Sequence, residues 1–436
     1  MASSLNFVCG DDRFNLNDRV TMVMERGYAP EASVDDEHIT ETVEVQIRQY
    51  VPSTIENLNN MFEKARTGSP TDDKVYVEYK VNDGEIAWRS RVYNAILQVT
   101  AAVASQWPKG RVDVEISFER DPFWEGPESN IGIANVNSQS GLAKVYNCND
   151  GVGSVPNKRI NFANVSALVI KGELPTPVKL EITNLSTNIL GGLWIGMNNS
   201  RPDWIDGWSI EAEAAIGVTA VANAGASGGA FVQGSMTYGQ TLPALQWVLS
   251  EDLITAVRGQ RVRMLLRPYY LGDYQNYKYK LKITHGVNTV WESAWVRPAA
   301  NYSRHWLELF DFQLPPWLDG LDNLTGLTLE LWLTPSRAGT WTWAFDDILL
   351  MAQDGFVSID TNVETQGKVI IDGDKGWAET AAGKRHGLRK MTGELMLKPA
   401  AVHRFVFAMH SIYGNSAPID FSLRVQGSYR PRRRSI

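Results

Sequence analysis

Cysteine is nearly absent from this 436-residue chain, which holds only Cys9 and Cys148. Two cysteines make no disulfide framework, and with no CxxC spacing they make no zinc site. Histidine is equally sparse. His38, His285, His305, His386, His403 and His410 are scattered, and no pair has the spacing of metal ligands. A basic excess is missing too: 42 Lys and Arg stand against 49 Asp and Glu, a net charge of -7, which argues against a general nucleic-acid binder. The one basic cluster is the terminal Arg430, Arg432, Arg433 and Arg434, read here as a solvated or docked terminus. No stretch approaches the roughly 18 apolar residues of a membrane-crossing helix, so no membrane span is expected. The opening "MASSLNFVCGDDRF" has no basic region followed by an apolar run, so a secretory signal is not expected.

Catalytic signatures are also missing. There is no P-loop, no GxSxG elbow and no HExxH. The glycine-rich "AGASGG" at 224 to 229 lacks the lysine and the helix that a phosphate cradle needs. Paired acids are common, but a glycosidase needs two carboxylates at a set distance in space, which spacing along the chain does not supply. A non-catalytic protein is expected.

What the chain does have is alternation. "TVEVQIRQYV" puts Val43, Val45 and Ile47 on one face and Glu44, Gln46 and Arg48 on the other; "KVYVEYKV", "RVDVEISF", "VKLEIT", "GLTLELWLT" and "FSLRVQ" repeat the pattern. Period-two runs broken by Gly, Asn, Asp and Pro predict antiparallel sheets with one wet face. A single helix is predicted in "PSTIENLNNMFEKARTG", with Ser53 as N-cap, Glu56 closing a capping box, and an apolar stripe at Leu58, Met61, Phe62 and Ala65 that should cover a sheet. Gly68 should end it.

"YYLGDYQNYKYK" sets five tyrosines within eleven positions. Tyr277, Tyr279, Leu281 and Ile283 share one strand face and Lys278, Lys280 and Lys282 the other, so Tyr277 and Tyr279 read as core. Tyr269, Tyr270 and Tyr274 fall outside that parity, around a Gly272–Asp273 turn, and are expected to be exposed. Composition shifts near 198 to 208 and 344 to 356, and most of the fifteen tryptophans lie between those limits.

Several stretches resemble the distal tail proteins of long-tailed bacteriophages. "WPKGRVDVEISFERDPFWEG" is similar to the end of their N-terminal domain, and "SALVIKGELPTPVKLEITN" to the start of their second. "VSIDTNVETQGKVIIDGD", "MTGELMLKPAAVHRFVFAM" and "LRVQGSYRPRR" resemble the family's closing strands. The match covers residues 1 to 204 and 356 to 436. Where the family has a "PG-N" turn, this chain reads Lys398-Pro399-Ala400-Ala401.

Residues 205 to 355 look like an inserted carbohydrate-binding module. "WSIEAEAAIGVTAVANAGASGGAFVQ" is similar to the opening of such modules and "WTWAFDDILLM" to their last strand. The resemblance implies a mainly β chain. Residues 1 to 127 form a ring-building domain with one helix. Residues 128 to 204 with 356 to 436 form a galectin-like β-sandwich, interrupted by a jelly roll at 205 to 355. It further implies a homo-hexameric ring in the virion tail, joined to tail tube and hub proteins, with host surface polysaccharide as a possible ligand.

Sugar rings stack on exposed aromatics. Tyr269, Tyr270 and Tyr274 are therefore expected to contact glycan, as is Trp332, which faces away from Leu327, Leu329, Leu331 and Leu333. Trp291, Trp295, Trp306 and Trp317 are open between core and ligand face, while Trp341, Trp343 and Phe345 read as core. Related sandwiches hold a calcium ion, and Glu211, Glu213, Asp346 and Asp347 occupy the matching places; solvated strand carboxylates are the other reading. The alternatives to a tail-tip component are a glycan-degrading enzyme and a secreted lectin.

Overall fold

The structure is a computed structural model. It describes residues 4–18, 22–24, 28–32, 37–48, 52–67, 74–82, 85–99, 112–131, 133–134, 144–147, 160–166, 169–185, 189–198, 209–223, 226–251, 254, 259, 261–269, 273–298, 307–313, 326–352, 355–359, 362–373, 377–380, 385–387, 390–392, 394–411 and 422–436. The chain is mainly β and divides into two compact units. Unit 1 comprises Met1–Ser129, Lys171–Thr176 and Arg430–Ile436; unit 2 comprises Asn130–Ile170 and Pro177–Tyr429.

The sheet of unit 1 runs in the order Asp12–Asn15, Ser4–Cys9, Val75–Lys80, Trp88–Val99, Val112–Arg120, Ile39–Ile47, Met22–Met24. Val43 pairs with Ile116 and Val45 with Val114, so the alternating apolar residues of both strands lie on one buried face. The helix Pro52–Thr67 buries Leu58, Met61 and Phe62 in the same core, with Ala65 half-buried. Phe62 meets Phe7 edge-on at 5.0 Å, and Phe7 meets Phe118 at 5.3 Å. Each such side chain contributes about 1.5–3 kcal/mol on burial. The helix begins at Pro52, so Ser53 lies inside its first turn instead of capping it. Proline suits that first position because its missing N–H would have had no helical partner. Gly68 lies outside the described residues.

Among the described residues, unit 2 holds four sheets. Two of them enclose the core around Leu180, Ile182, Val425, Leu193, Ile195, Phe405 and Phe407. One has the central order Ile160–Val165, His403–Ser411, Leu190–Asn198, Phe356–Ile359; the other has Ser422–Tyr429, Thr176–Asn184, Lys368–Asp372. The remaining two are built from residues 209 to 352 alone. One runs Ala220–Ala222, Ala230–Thr237, Thr340–Ala352, Arg261–Pro268, Leu307–Gln313, with Ser209–Glu211 also on Thr340–Ala352. The other runs Leu242–Val248, Leu327–Pro335, Tyr277–His285, Asn288–Glu292. Hydrogen-bond pairing thus closes within 209 to 352, but burial does not. Trp194, Phe356, Val406 and Ala408 belong to the same core as Leu265, Ile348 and Met351, and the Trp194 indole N–H donates to Glu308 Oε1 at 2.9 Å.

The departure at Ala400 has a visible consequence. Ala400 adopts φ 54°, the left-handed conformation that a glycine takes without steric cost. The turn forms with alanine, and the strand His403–Ser411 follows as expected. Inside the turn's return, His403 is buried and its Nε2 accepts the Lys398 N–H at 3.0 Å.

Candidate functional site

Parity decides the tyrosines of the Tyr277–His285 strand. Tyr277 and Tyr279 are both fully buried; the Tyr277 hydroxyl donates to the Trp341 carbonyl, and that of Tyr279 to the Tyr274 carbonyl at 2.9 Å. The preceding tyrosines depart from expectation. Tyr269 is 4% exposed and Tyr274 2%. Tyr269 stacks on Phe231 with centroids 3.9 Å apart and planes at 10°. Tyr274 sits in a short 3-10 turn, Asp273–Asn276, that swings its ring into the main core of this part of the chain. Burial pushes its hydroxyl pKa up, and that oxygen accepts from Gln275 Nε2 at 3.1 Å. The expected exposure of Tyr269 and Tyr274 is therefore overturned: a break in strand parity does not by itself expose a ring when a helical turn follows. Tyr270, Trp306 and Trp317 lie outside the described residues. Trp291 is half-buried against Phe312, at 5.7 Å between centroids.

Trp332 stands where its parity puts it, on the outward face of the four-stranded sheet. Its indole N–H donates to Glu330 Oε2 at 2.7 Å, and the Lys282 ammonium lies 4.2 Å from its ring centroid. The other oxygen of Glu330 accepts from Gln246 Nε2 at 3.1 Å and from the Thr284 hydroxyl at 3.3 Å. Beside it, Lys280 pairs with Glu292 at 2.7 Å, and Lys282 reaches the same oxygen at 3.8 Å. The hydrogen bond from Lys280 is the main reason the Glu292 carboxyl is held below the usual carboxylate range. Trp295 joins this face through a single bridge between Val296 and Tyr279. It lies outside any named strand, so alternation along the sequence did not assign it.

Asp346 and Asp347 are fully buried, not solvated. Asp346 Oδ2 lies 3.2 Å from an Arg267 nitrogen that is itself buried, so a guanidinium already neutralises one of the two carboxylates. Glu211 stands opposite Asp347 in backbone register, but the side chains of Glu211 and Glu213 lie outside the described residues. Among the described residues no three His, Cys, Asp or Glu side chains come together as a metal site. Among the described side chains, Asp346 is thus partnered by Arg267.

A second constellation lies in unit 1. Arg120 of "ERDPFW" is buried, pairs with Glu41 at 2.6 Å, donates to the Glu31 carbonyl at 2.8 Å, and has its guanidinium 4.6 Å from the Trp124 ring centroid. Tyr28 donates to the same Glu41 carboxylate, and burial holds the Tyr28 hydroxyl pKa well above its usual value. The short strand Trp124–Glu125 pairs with Arg432–Arg433 of the C-terminal tail. Arg432 Nε and Nη2 both donate to Glu125 Oε1, at 3.1 and 2.9 Å, with the guanidinium 4.1 Å over Phe123. The Arg432 carbonyl accepts the N–H groups of Glu173, at 2.8 Å, and Leu174, at 3.3 Å. Gly172 makes that approach possible. Its φ is +114°, and a Cβ there would lie 2.9 Å from the Arg432 carbonyl oxygen. "DPFWEG", "KGELPT" and "RPRR", distant in sequence, are thus knitted together by backbone bonds, the Arg432–Glu125 ion pair, and side-chain bonds from Arg430 to the Gly126 carbonyl and from Thr176 to the Arg430 carbonyl. The arginine cluster is a docked terminus.

No family model matches the chain, and no curated protein matches it. Among solved structures it is similar to SPP1 Dit, described as a paradigm of the hub adsorption apparatus in Gram-positive infecting phages, at 8% identity and a TM-score of 0.27 over 98% of each chain. It is also similar to the VP2 subviral particle of infectious bursal disease virus, at 8% identity and a TM-score of 0.18 over 71% of this chain and 82% of that one. A third is PNGF-II, at 7% identity and a TM-score of 0.23 over 80% of this chain and 98% of that one.

Proposed function

We propose that this chain is a non-catalytic structural component of a long-tailed phage virion, a distal tail protein that forms a homo-hexameric ring joining the tail tube to the adsorption apparatus. In this reading the 205–355 part presents a face to host surface glycans. The observation that carries it is the junction in unit 1. Three separated stretches that resemble distal tail proteins meet there, through the Arg432–Glu125 pair and the Glu173 and Leu174 N–H groups on Arg432. A strand docked in this way makes the ring-building unit depend on Arg432 and its neighbours.

Closed rings need head-to-tail contacts between unlike patches. Among the described residues the sheet of unit 1 ends on two short edge strands, Asp12–Asn15 and Met22–Met24. These edges and the polar outer side of Pro52–Thr67 are the ring contacts of this reading. Mass in solution and negative-stain class averages test it. A sixfold ring, and its place at the tip of purified virions, is the expected result. A chain that remains monomeric in every condition and releases reducing sugar from host envelope refutes it.

A further inference from the structure

We propose that the outward face of the sheet Leu242–Val248, Leu327–Pro335, Tyr277–His285, Asn288–Glu292 binds an acidic polysaccharide, with Trp295 stacking on its sugar rings and Lys278, Lys280 and Lys282 holding its anionic groups. This rests on the reading above that residues 205 to 355 present a glycan face, and it names the class of glycan.

The register assembles the face. With Tyr277, Tyr279, Leu281 and Ile283 turned inward, the three lysines turn outward, and Lys280 stands opposite Trp332, Lys282 opposite Glu330, and Lys278 opposite Thr334. On the far side, Gln246 stands opposite Glu330. The bridge that places Val296 beside Tyr279 brings Trp295 out next to Lys280, whose ammonium is 5.8 Å from the ring centroid. Trp295 is 39% exposed, and no other tryptophan whose side chain is described is exposed. A flat ring open to water, beside hydrogen-bonding groups, is what the apolar face of a pyranose stacks upon.

Charge identifies the ligand class. The chain as a whole carries -7. Here four basic residues, Lys278, Lys280, Lys282 and Arg297, stand against two acids, Glu292 and Glu330. Both acids are committed within the face. Glu292 holds Lys280 and Lys282 in position, and Glu330 holds the Trp332 indole, Gln246 and Thr284. Trp332 in turn supports the Lys282 ammonium from below. Among the described residues Lys278 and Arg297 have no carboxylate within ion-pair distance. The result is two ammonium groups held by Glu292, with the charges of Lys278 and Arg297 left for a ligand, beside one exposed ring. A neutral glucan would leave those charges unanswered, whereas a polymer of uronic acids or of sugar phosphates answers them at each repeat. Several copies in one ring would add weak sites through avidity.

The test is affinity electrophoresis of the full-length protein in gels containing polygalacturonate, poly(glycerol phosphate) or dextran. Retardation by one or both acidic polymers, but not by dextran, is expected, and which acidic polymer acts separates carboxylate from phosphodiester. Retardation should weaken as salt rises. Lys278→Gln, at a half-buried position, and Trp295→Ala, at an exposed one, should each raise Kd at least about tenfold, as for loss of a charge-assisted contact or a stacking ring. Their melting temperatures should match the parent. Equal retardation by dextran, untouched by Lys278→Gln, overturns the acidic class and leaves the glycan reading standing. Retardation by none of the three polymers overturns both, while ring formation is judged separately by mass. Acid-polymer binding that survives Lys278→Gln, Lys282→Gln and Trp295→Ala overturns the assignment to this face.

Discussion

Arg432→Ala isolates the side chain that fastens the C-terminal tail. Two charge-assisted hydrogen bonds to Glu125 are lost, at 2.9 and 3.1 Å, together with the guanidinium over Phe123 at 4.1 Å. Hydrogen bonds to charged groups contribute roughly 1.5–3 kcal/mol net. Both partners retain some exposure, 15% each, so solvent screening sets the pair toward the lower end of that range. The ring contact adds about 0.5–1 kcal/mol. Glu125 keeps Arg89 at 3.3 Å, so its carboxylate is not left bare and no further penalty follows. The expected loss is about 2 kcal/mol, local to the tail. The backbone bonds Gly126 N–H to Pro431 O and Glu173 N–H to Arg432 O, both 2.8 Å, do not involve the side chain and therefore report on docking. Their amides should exchange with solvent about thirtyfold faster in the variant, while those of the Ile39–Ile47 and Val112–Arg120 pair keep their rates. Glu125→Gln in a double-mutant cycle should show coupling of about 1 kcal/mol. Exchange at Gly126 and Glu173 unchanged within about twofold, or a cycle that is additive, would refute the reasoning.

Tyr274→Ala should cost about 3 kcal/mol, as should Tyr277→Ala, because both rings are core; thermal melting checks this, and a Tyr274→Ala protein that melts like the parent would return that ring to the surface. Ala400→Gly should stabilise. The left-handed backbone costs alanine about 1–2 kcal/mol, glycine's extra unfolded-state freedom takes back about 0.5–1, and a net gain near 0.5–1 kcal/mol should raise the melting temperature. His403 predicts acid sensitivity. Burial holds its pKa below the usual 6.5 while its Nε2 accepts the Lys398 N–H. Because the folded value is depressed, its contribution is complete above pH 6.5 and is lost as pH falls below that value through the folded one. Melting scans between neutral and mildly acid pH should therefore slope downward, and His403→Gln should flatten the slope; an unchanged slope would remove His403 as its source.

Local periodicity determined a large share of this fold. The turning of Val43, Val45 and Ile47 into the core, the burial of Tyr277 and Tyr279, the stripe of the Pro52–Thr67 helix and the outward Trp332 all follow from side-chain directions that repeat every two or 3.6 residues, and they needed no knowledge of a partner. Tertiary structure decided what lies across from each residue. Tyr269 and Tyr274 were expected at the surface, and they are buried because a 3-10 turn and the Phe231 ring, from another strand, receive them. The alternative reading of Asp346 as a solvated acid gives way to a buried one, with Arg267 on the adjacent strand beside it. Trp295 reached the outward side of the Tyr277–His285 sheet through the bridge of its neighbour Val296 to Tyr279, and Arg432 found Glu125 across a separation of 307 residues. Spacing along a chain reports which way a side chain points. Which group it meets depends on strands brought together from distant parts of the chain, and that pairing is selected by the burial and hydrogen bonding of the whole fold.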